Sequence, residues 1–381
     1  MNEYCQRALD YLSHEYDGQR AWFSWRSRAG ADGQVLHDFQ APWSLRYTVN
    51  TYLGLAAAER HAGEIAWLGP VRERLAQFLS GFEPELVNCG DRGLLLVALA
   101  DCDPSHPAVE RSLDQLERAI ARGDAAQRLD LQQLAWMLWG AARWSTSERA
   151  SRLADQLFAL IERRFVHPDT GMPRHSTHRY RAHTVSFGSV VYFLRAMHEY
   201  GQACGSERAS ELFTTCLRRV LAIQGQDGAW PWMLDVRSAQ PVDVYPIFTV
   251  HQDSMAMLFL FPAREYGLEG IEEAIERSFR WNLGCNELHS SIVLEQPYAW
   301  FYRSIERAER WPRARRYLRG LRGPVREPAK LRARVRFNRE CRSYHPGWIL
   351  YAWSAYAEAP SLPAASERQG AVGEDQLRAL R

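Results

Sequence analysis

The chain lacks any apolar run approaching the about 20 residues that a helix needs to cross a bilayer. Its opening stretch, MNEYCQRALDYL, carries acidic residues where a secretory leader would place an apolar segment. Neither membrane insertion nor secretion is expected. Cysteine is sparse and scattered over Cys5, Cys89, Cys102, Cys204, Cys216, Cys285 and Cys341, an odd number with no Cys-x-x-Cys pair and no metal-ligand spacing. That usage fits a reduced, cytoplasmic protein, and nothing in it calls for a metal or another cofactor. Phosphate-cradling loops of the G-x-G-x-x-G or G-K-S/T kind are missing, as are a serine-hydrolase G-x-S-x-G elbow and any known nucleic-acid module. Strand signals are weak, confined to 291–294 and the alternating stretch 331–337.

What remains is ordinary globular material: 381 residues, 46% hydrophobic and 24% charged, long enough for a large core. Helical periodicity dominates, in two alternating kinds. Segments 2–15, 71–82, 108–121, 148–165, 208–223 and 270–281 are amphipathic, with one charged face. Segments 43–58, 91–100, 129–144, 184–200, 252–263 and 347–357 are apolar nearly all round and must be buried. This alternation predicts an all-α chain, an (α/α)6 toroid in which an inner ring of buried helices is wrapped by an outer ring of amphipathic ones. A single domain over 1–360 is expected, with a long connection at 286–343 acting as lid or binding loop and a tail at 361–381. Between Arg307 and Arg342 basic residues far outnumber acidic ones, which suits an acidic partner or substrate, or simply a solvated face.

If the inner helices run the same way, their starts gather at one face, and that face should be the functional one. The starts bring Trp43, Arg46 and Tyr47; Asp91 and Arg92; Arg128, Asp130 and Gln132; Arg181 and His183; Tyr245, His251 and Asp253; and Tyr344, His345 and Trp348. His251 and Asp253, with Tyr245 as partner acid, form a candidate proton-transfer site, the carboxylate orienting the imidazole; the plainer reading of Asp253 is a helix cap. Asp91 and Asp130 are candidates for the acid and base of glycoside hydrolysis, or caps paired with Arg92 and Arg128. The run RHSTHRYRAH, which includes Arg181 and His183, suits a carboxylate or phosphate pocket, to which Arg46 and Arg303 add. Trp230, Trp232, Tyr298 and Trp300 lie in loops, where aromatic faces can stack on a sugar or stabilise a cation, and Tyr47 and His345 complete the expected binding set.

Gln224, Asp227, Gly228 and Trp230 spell Q-x-x-D-G-x-W, which resembles the QW repeat of the terpene cyclase and protein prenyltransferase toroids. In that superfamily the glutamine and tryptophan tie neighbouring helices together, so the resemblance implies fold more than chemistry. The loop from His167 to Met172 resembles one common between hairpins of glycoside-processing toroids. The prenyl families' reactive motifs are not here: no D-x-D-D run, no D-D-x-x-D, no Asp-Cys-His zinc set, and Asp101-Cys102-Asp103 falls at the end of an inner helix. The leading expectation is therefore an enzyme acting on an acidic sugar or polysaccharide as lyase, epimerase or hydrolase. An isoprenoid cyclase is the alternative, and a non-catalytic scaffold for an acidic partner a third.

Overall fold

Side-chain caps set several helix starts. Asn2 accepts from Cys5 N, Asn88 from Gly90 N and Asp91 N, Ser186 from Ser189 N and Ser206 from Ala209 N, each satisfying donors that a first turn leaves open. The computed structural model describes residues 1–30, 34–179, 181–294, 300–308 and 334–356. Apart from a single turn at Ala125–Arg128, its α-helices are α1 (Glu3–Glu15), α2 (Trp43–Ala62), α3 (Val71–Phe82), α4 (Cys89–Cys102), α5 (Ala108–Ala121) and α6 (Leu131–Ala142). They continue with α7 (Glu148–Phe165), α8 (Phe187–Cys204), α9 (Glu207–Leu221), α10 (Met257–Ala263), α11 (Ile271–Asn282) and α12 (Tyr344–Trp353). The odd-numbered helices bury one stripe, as α7 does with Leu153, Ala154, Leu157, Phe158, Ile161 and Phe165. The even-numbered ones are buried on nearly every side; in α4 the run from Gly90 to Leu99 is wholly inaccessible or nearly so.

Packing follows that division. Helix α2 lies against α4, α4 against α6, α6 against α8, α8 against α10, the turn before α10 against α12, and α12 against α2, so the even helices form a closed cycle. Each odd helix packs on an even neighbour: α1 on α12, α3 on α2, α5 on α4, α7 on α6, α9 on α8 and α11 on α10. Two contacts in the cycle are backbone to backbone. A Cβ on Gly54 would stand 2.0 Å from the carbonyl oxygen of Gly347, and one on Gly93 2.4 Å from that of Trp136, so only glycine allows these helices to meet so closely. Aromatic rings fill the middle: Trp139 stacks on Trp348 at 6.1 Å, with Tyr192 5.8 Å from Trp348 on one side and Tyr351 5.5 Å from Trp139 on the other.

Two expectations need correcting. The buried segment expected at 252–263 does not start as an α-helix: His251–Met255 form a wider π turn, and α10 is short and contains Pro262. Strands are also more numerous than the sequence signalled, because runs of two to four residues are too short to show alternation. Thr184–Ser186, expected as helix, pairs antiparallel with Met233–Asp235, which pairs in turn with Pro241–Asp243. Ser304–Arg307 lies between Ile247–Phe248 and Val335–Asn338, so part of the connection at 286–343 is sheet. Strands Val35–Asp38, Thr184–Ser186, Ile247–Phe248 and Val335–Asn338 all lead into starts of the even helices or the π turn, and they build up that end of the cycle. The tail at 361–381, most of the basic segment and Tyr298 lie outside the described residues.

Candidate active site

A cavity of about 210 Å³ opens where the even helices begin. Trp43, Arg46, Tyr47 and Asn50 descend one face of α2 into it, at the spacing of a single helical stripe. The same one-turn step recurs on the other elements: Gln132 and Trp136 of α6, Gly188 and Tyr192 of α8, His251 and Met255 of the π turn. Tyr344 of α12, Trp232, Phe248 and Arg303 complete the lining used below. Tyr192 joins this lining to the aromatic column through Trp348.

His251 is 5% exposed and held by rings on several sides. Trp232 lies parallel to it at 5.9 Å and 7°, Phe187 is 5.1 Å away and Phe248 5.2 Å. Burial, reinforced by the nearby His345, lowers its pKa to about 3, so the imidazole is uncharged at neutral pH. A methyl group on Gly188 would sit 3.4 Å from His251 Nε2; bare glycine leaves that nitrogen open to the cavity.

Asp253 does not orient His251. Residues two apart on a helical turn do not face each other, and its carboxylate points into the protein, accepting from Tyr4 Oη at 2.6 Å, Asn282 Nδ2 at 2.7 Å and His345 Nε2 at 2.8 Å. The histidine–aspartate pair of this protein is therefore His345–Asp253, a buried pin joining α1, α11 and α12. His345, 3% exposed, does not line the cavity. Tyr245 is also elsewhere: its hydroxyl donates to Glu287 Oε1 at 2.7 Å, in a satellite core with Ile247, Trp281 and Ile305.

The two other carboxylates are occupied locally. Asp91 accepts from Arg46 Nε at 2.6 Å; burial raises its pKa while the guanidinium pulls it back. Asp130 caps α6, accepting from Gln133 N at 3.0 Å in a reciprocal capping box. Neither lines the cavity, so they are not an acid–base pair facing a common substrate there. Arg181 and His183 are exposed on the loop before Thr184 and do not reach it. Trp230 is wholly buried, its Nε1 donating to Ser278 Oγ at 2.8 Å, and Gln224 Nε2 donates to Ala274 O at 3.0 Å; both tie their loop to α11. Trp300 is core, donating to Arg339 O at 3.2 Å. Of the residues singled out in the sequence, the cavity brings together Trp43, Arg46, Tyr47, Gln132, Trp232, His251, Arg303 and Tyr344, with Asp91 behind Arg46.

Charge and hydrogen bonding set this cavity apart. Glu340 is shared by Arg342 Nη2 at 2.7 Å, Arg26 Nη1 at 3.2 Å and Arg303 Nη1 at 3.3 Å, and Arg26 also holds Asp38. Three guanidiniums against two carboxylates leave this wall one positive charge in excess. Among the described residues, Asn50 Oδ1, Trp136 Nε1, His251 Nδ1 and Arg303 Nε are buried without a hydrogen-bond partner, and all four belong to the lining. Buried polar atoms are seldom left unpaired unless water or a ligand meets them. Tyr344, whose ring lies 4.6 Å from that of Tyr47, has its hydroxyl pushed up to about 12 by burial and so stays protonated. Among the described residues no three His, Cys, Asp or Glu side chains converge as metal ligands.

No family model and no curated protein matches the chain. Solved structures do. A sugar epimerase from a ruminal bacterium aligns over 93% of this chain and 99% of its own at 10% identity, with a TM-score of 0.65. The α-1,6-mannanase of Salegentibacter sp. HEL1_6 aligns over 93% and 98% at 11% identity (TM-score 0.58). The unsaturated glucuronyl hydrolase of Bacillus sp. GL1 aligns over 92% and 95% at 14% identity (TM-score 0.58). At such identities the likeness establishes a mostly helical fold of the toroid kind. The neighbours named here are carbohydrate enzymes, and they lend nothing to the isoprenoid alternative. No helix among the described residues is long and apolar enough to cross a membrane.

Proposed function

We propose that the chain is a single-domain (α/α)6 toroid of six helical hairpins. We infer that it acts on an acidic sugar, free or in a polysaccharide, by moving a proton at carbon, as an epimerase or a lyase. The observation that carries this is an uncharged imidazole, His251, opening onto a cavity that also holds Arg46 and Arg303. A carboxylate paired with guanidinium acidifies the neighbouring C–H, and a neutral imidazole accepts that proton. The lowered basicity of His251 in the empty site is offset when the anionic substrate enters, because a nearby negative charge favours the imidazolium. Tyr344 or Tyr47 then returns a proton, either to the opposite face of the same carbon, which inverts it, or to the departing glycosidic oxygen, which completes an elimination.

Hydrolysis is less well served, since it needs two carboxylates across the scissile bond and the cavity lining contains no Asp or Glu among the described residues. A hydrocarbon-binding cavity would be poor in charge; two guanidiniums in the lining favour the sugar. The test is to incubate the protein in D2O with uronic acids and their oligomers, following deuterium at carbon and the ultraviolet absorbance of unsaturated products. Solvent deuterium or a new double bond, lost in His251→Ala, is the expected result. If no acidic sugar gives either signal, the reading fails.

A further inference from the structure

At about 210 Å³ the cavity is smaller than the roughly 300–1,000 Å³ of pockets that enclose a whole drug-sized ligand. One sugar ring fills such a space, and a second ring must stand outside it, past the rim. Trp43 occupies that rim. It is the first residue of α2, lines the cavity, and at 45% exposure is one of the few large apolar side chains left in water.

Its exposure is not looseness. The Trp43 ring stacks on Trp25, centroids 6.3 Å apart with 30° between planes. Trp25 is itself held by guanidiniums, Arg342 at 4.4 Å and Arg26 at 4.7 Å from its ring centre, and those two arginines share Glu340 with Arg303 of the cavity wall. The backbone beneath is pinned as well: Gln40 N donates to Ser44 Oγ and Ser44 N to Gln40 O, both at 2.9 Å. A tryptophan that floats at a surface loses side-chain freedom on binding, whereas one already braced offers its face at little entropic cost. Leaving that face in water is unfavourable at about 25 cal/mol per Å² until something apolar covers it. The C–H face of a sugar ring is flat, apolar and of matching size.

We propose that Trp43, backed by Trp25, is the platform for a second sugar unit, so that the substrate is an acidic oligosaccharide or polysaccharide rather than a free monosaccharide. This rests on the cavity being an acidic-sugar site, and the experiment separates the two claims. Calorimetric titration of wild type and Trp43→Ala with glucuronate and galacturonate, each as monomer, dimer and trimer, gives six affinities per protein. For the sugar that binds, the dimer should bind wild type about tenfold more tightly than the monomer, a gain in the range of one good ring contact. Trp43→Ala, which also removes one side chain from the cavity lining, should bring the dimer-to-monomer affinity ratio down to about one whatever its effect on the monomer alone; Trp43→Phe should retain most of the wild-type ratio. Equal wild-type affinity for monomer and dimer, or a gain that survives in Trp43→Ala, overturns the platform and leaves the cavity reading standing. Silence from all six ligands overturns the cavity reading and the platform with it.

Discussion

The even helices present two ends, and each end has a polar cavity. At the far end, where these helices finish, about 320 Å³ is lined by Arg60, Asp101, Arg143, Arg195 and Tyr351 among others. By volume it is the larger of the two. Its charges are already engaged: Asp101 takes Arg60 through two bonds of 3.0 and 2.8 Å and Arg143 at 2.7 Å, while Arg195 is paired with Glu199 and donates to Tyr351 at 3.2 Å. Guanidiniums at helix C-termini also meet the negative ends of the helix dipoles, which is a stabilising arrangement in itself. Among the described residues, one polar atom there, Arg195 Nε, lacks a partner, against the four named above around the cavity at the starting end. Commitment of the polar groups, rather than cavity size, separates the two ends, and it is the reason the starting end is the one proposed to receive a ligand.

The sharpest way to break this contrast is to delete one group from each end. His251→Ala should lower kcat/KM by about 10²–10⁴-fold, the usual worth of a general base, with the melting temperature kept or raised because an uncharged buried imidazole is poorly satisfied there. A variant with near wild-type turnover would refute the assignment. Asp253→Ala, two residues on, should act in the opposite sense: it strips a buried partner from His345, Tyr4 and Asn282 and should cost about 3 kcal/mol in denaturant unfolding. Activity per folded molecule, measured well below the melting transition, should survive better than in His251→Ala. At the far end, Asp101→Ala should cost about 1–2 kcal/mol, discounted because Arg60 and Arg143 are themselves a third or more exposed, with kcat/KM within twofold of wild type. A large loss of turnover there would mean that the two ends are not functionally separate.

The smallest effect is in pH. His251 has a folded pKa of about 3 against an ordinary 6.5, so the folded protein binds fewer protons than the unfolded chain between those values. Its contribution is present in full above pH 6.5 and is lost as pH falls toward 3. Between pH 7 and pH 6 that amounts to about 0.7 kcal/mol, steepening to about 1.4 kcal/mol per unit below. Unfolding titrations of wild type and His251→Phe, compared across this range, should diverge by that slope; parallel curves would show that the imidazole is not buried uncharged.

Much of the architecture was legible because it rests on periodicity. The alternation of buried and amphipathic segments survives folding, since a helix apolar on all sides has nowhere to go but inside. His251 was legible as a polar residue at a buried helix's start. Its supposed partner was not, because the π turn and the i, i+2 spacing send Asp253 the other way, and Asp253 finds its donors on Tyr4, Asn282 and His345, which are remote in sequence. Tyr245 follows the same rule, its partner Glu287 coming from a different loop. Arg303 reaches the cavity beside a strand whose pairing with Ile247–Phe248 no local pattern announces. The lining one turn below each start, Asn50, Trp136, Tyr192 and Met255, had a signal that went unused: each continues the face of a residue already singled out or adjacent to one.

The closure of α12 against α2 places a demand on synthesis. Arg46 and Tyr47 are made early and Tyr344 about three hundred residues later, yet the rings of Tyr47 and Tyr344 are neighbours, and Gly54 must meet Gly347 for the two helices to touch. Until the last even helix has emerged from the ribosome, nascent α2 has an open flank of apolar surface and the cavity has no complete wall. Such late pairing over nearly the whole chain is slow and leaves intermediates prone to self-association. The cavity of this protein is thus completed in a single late step, and a messenger truncated anywhere before α12 yields a chain that lacks Tyr344 from its wall and keeps an open flank on α2.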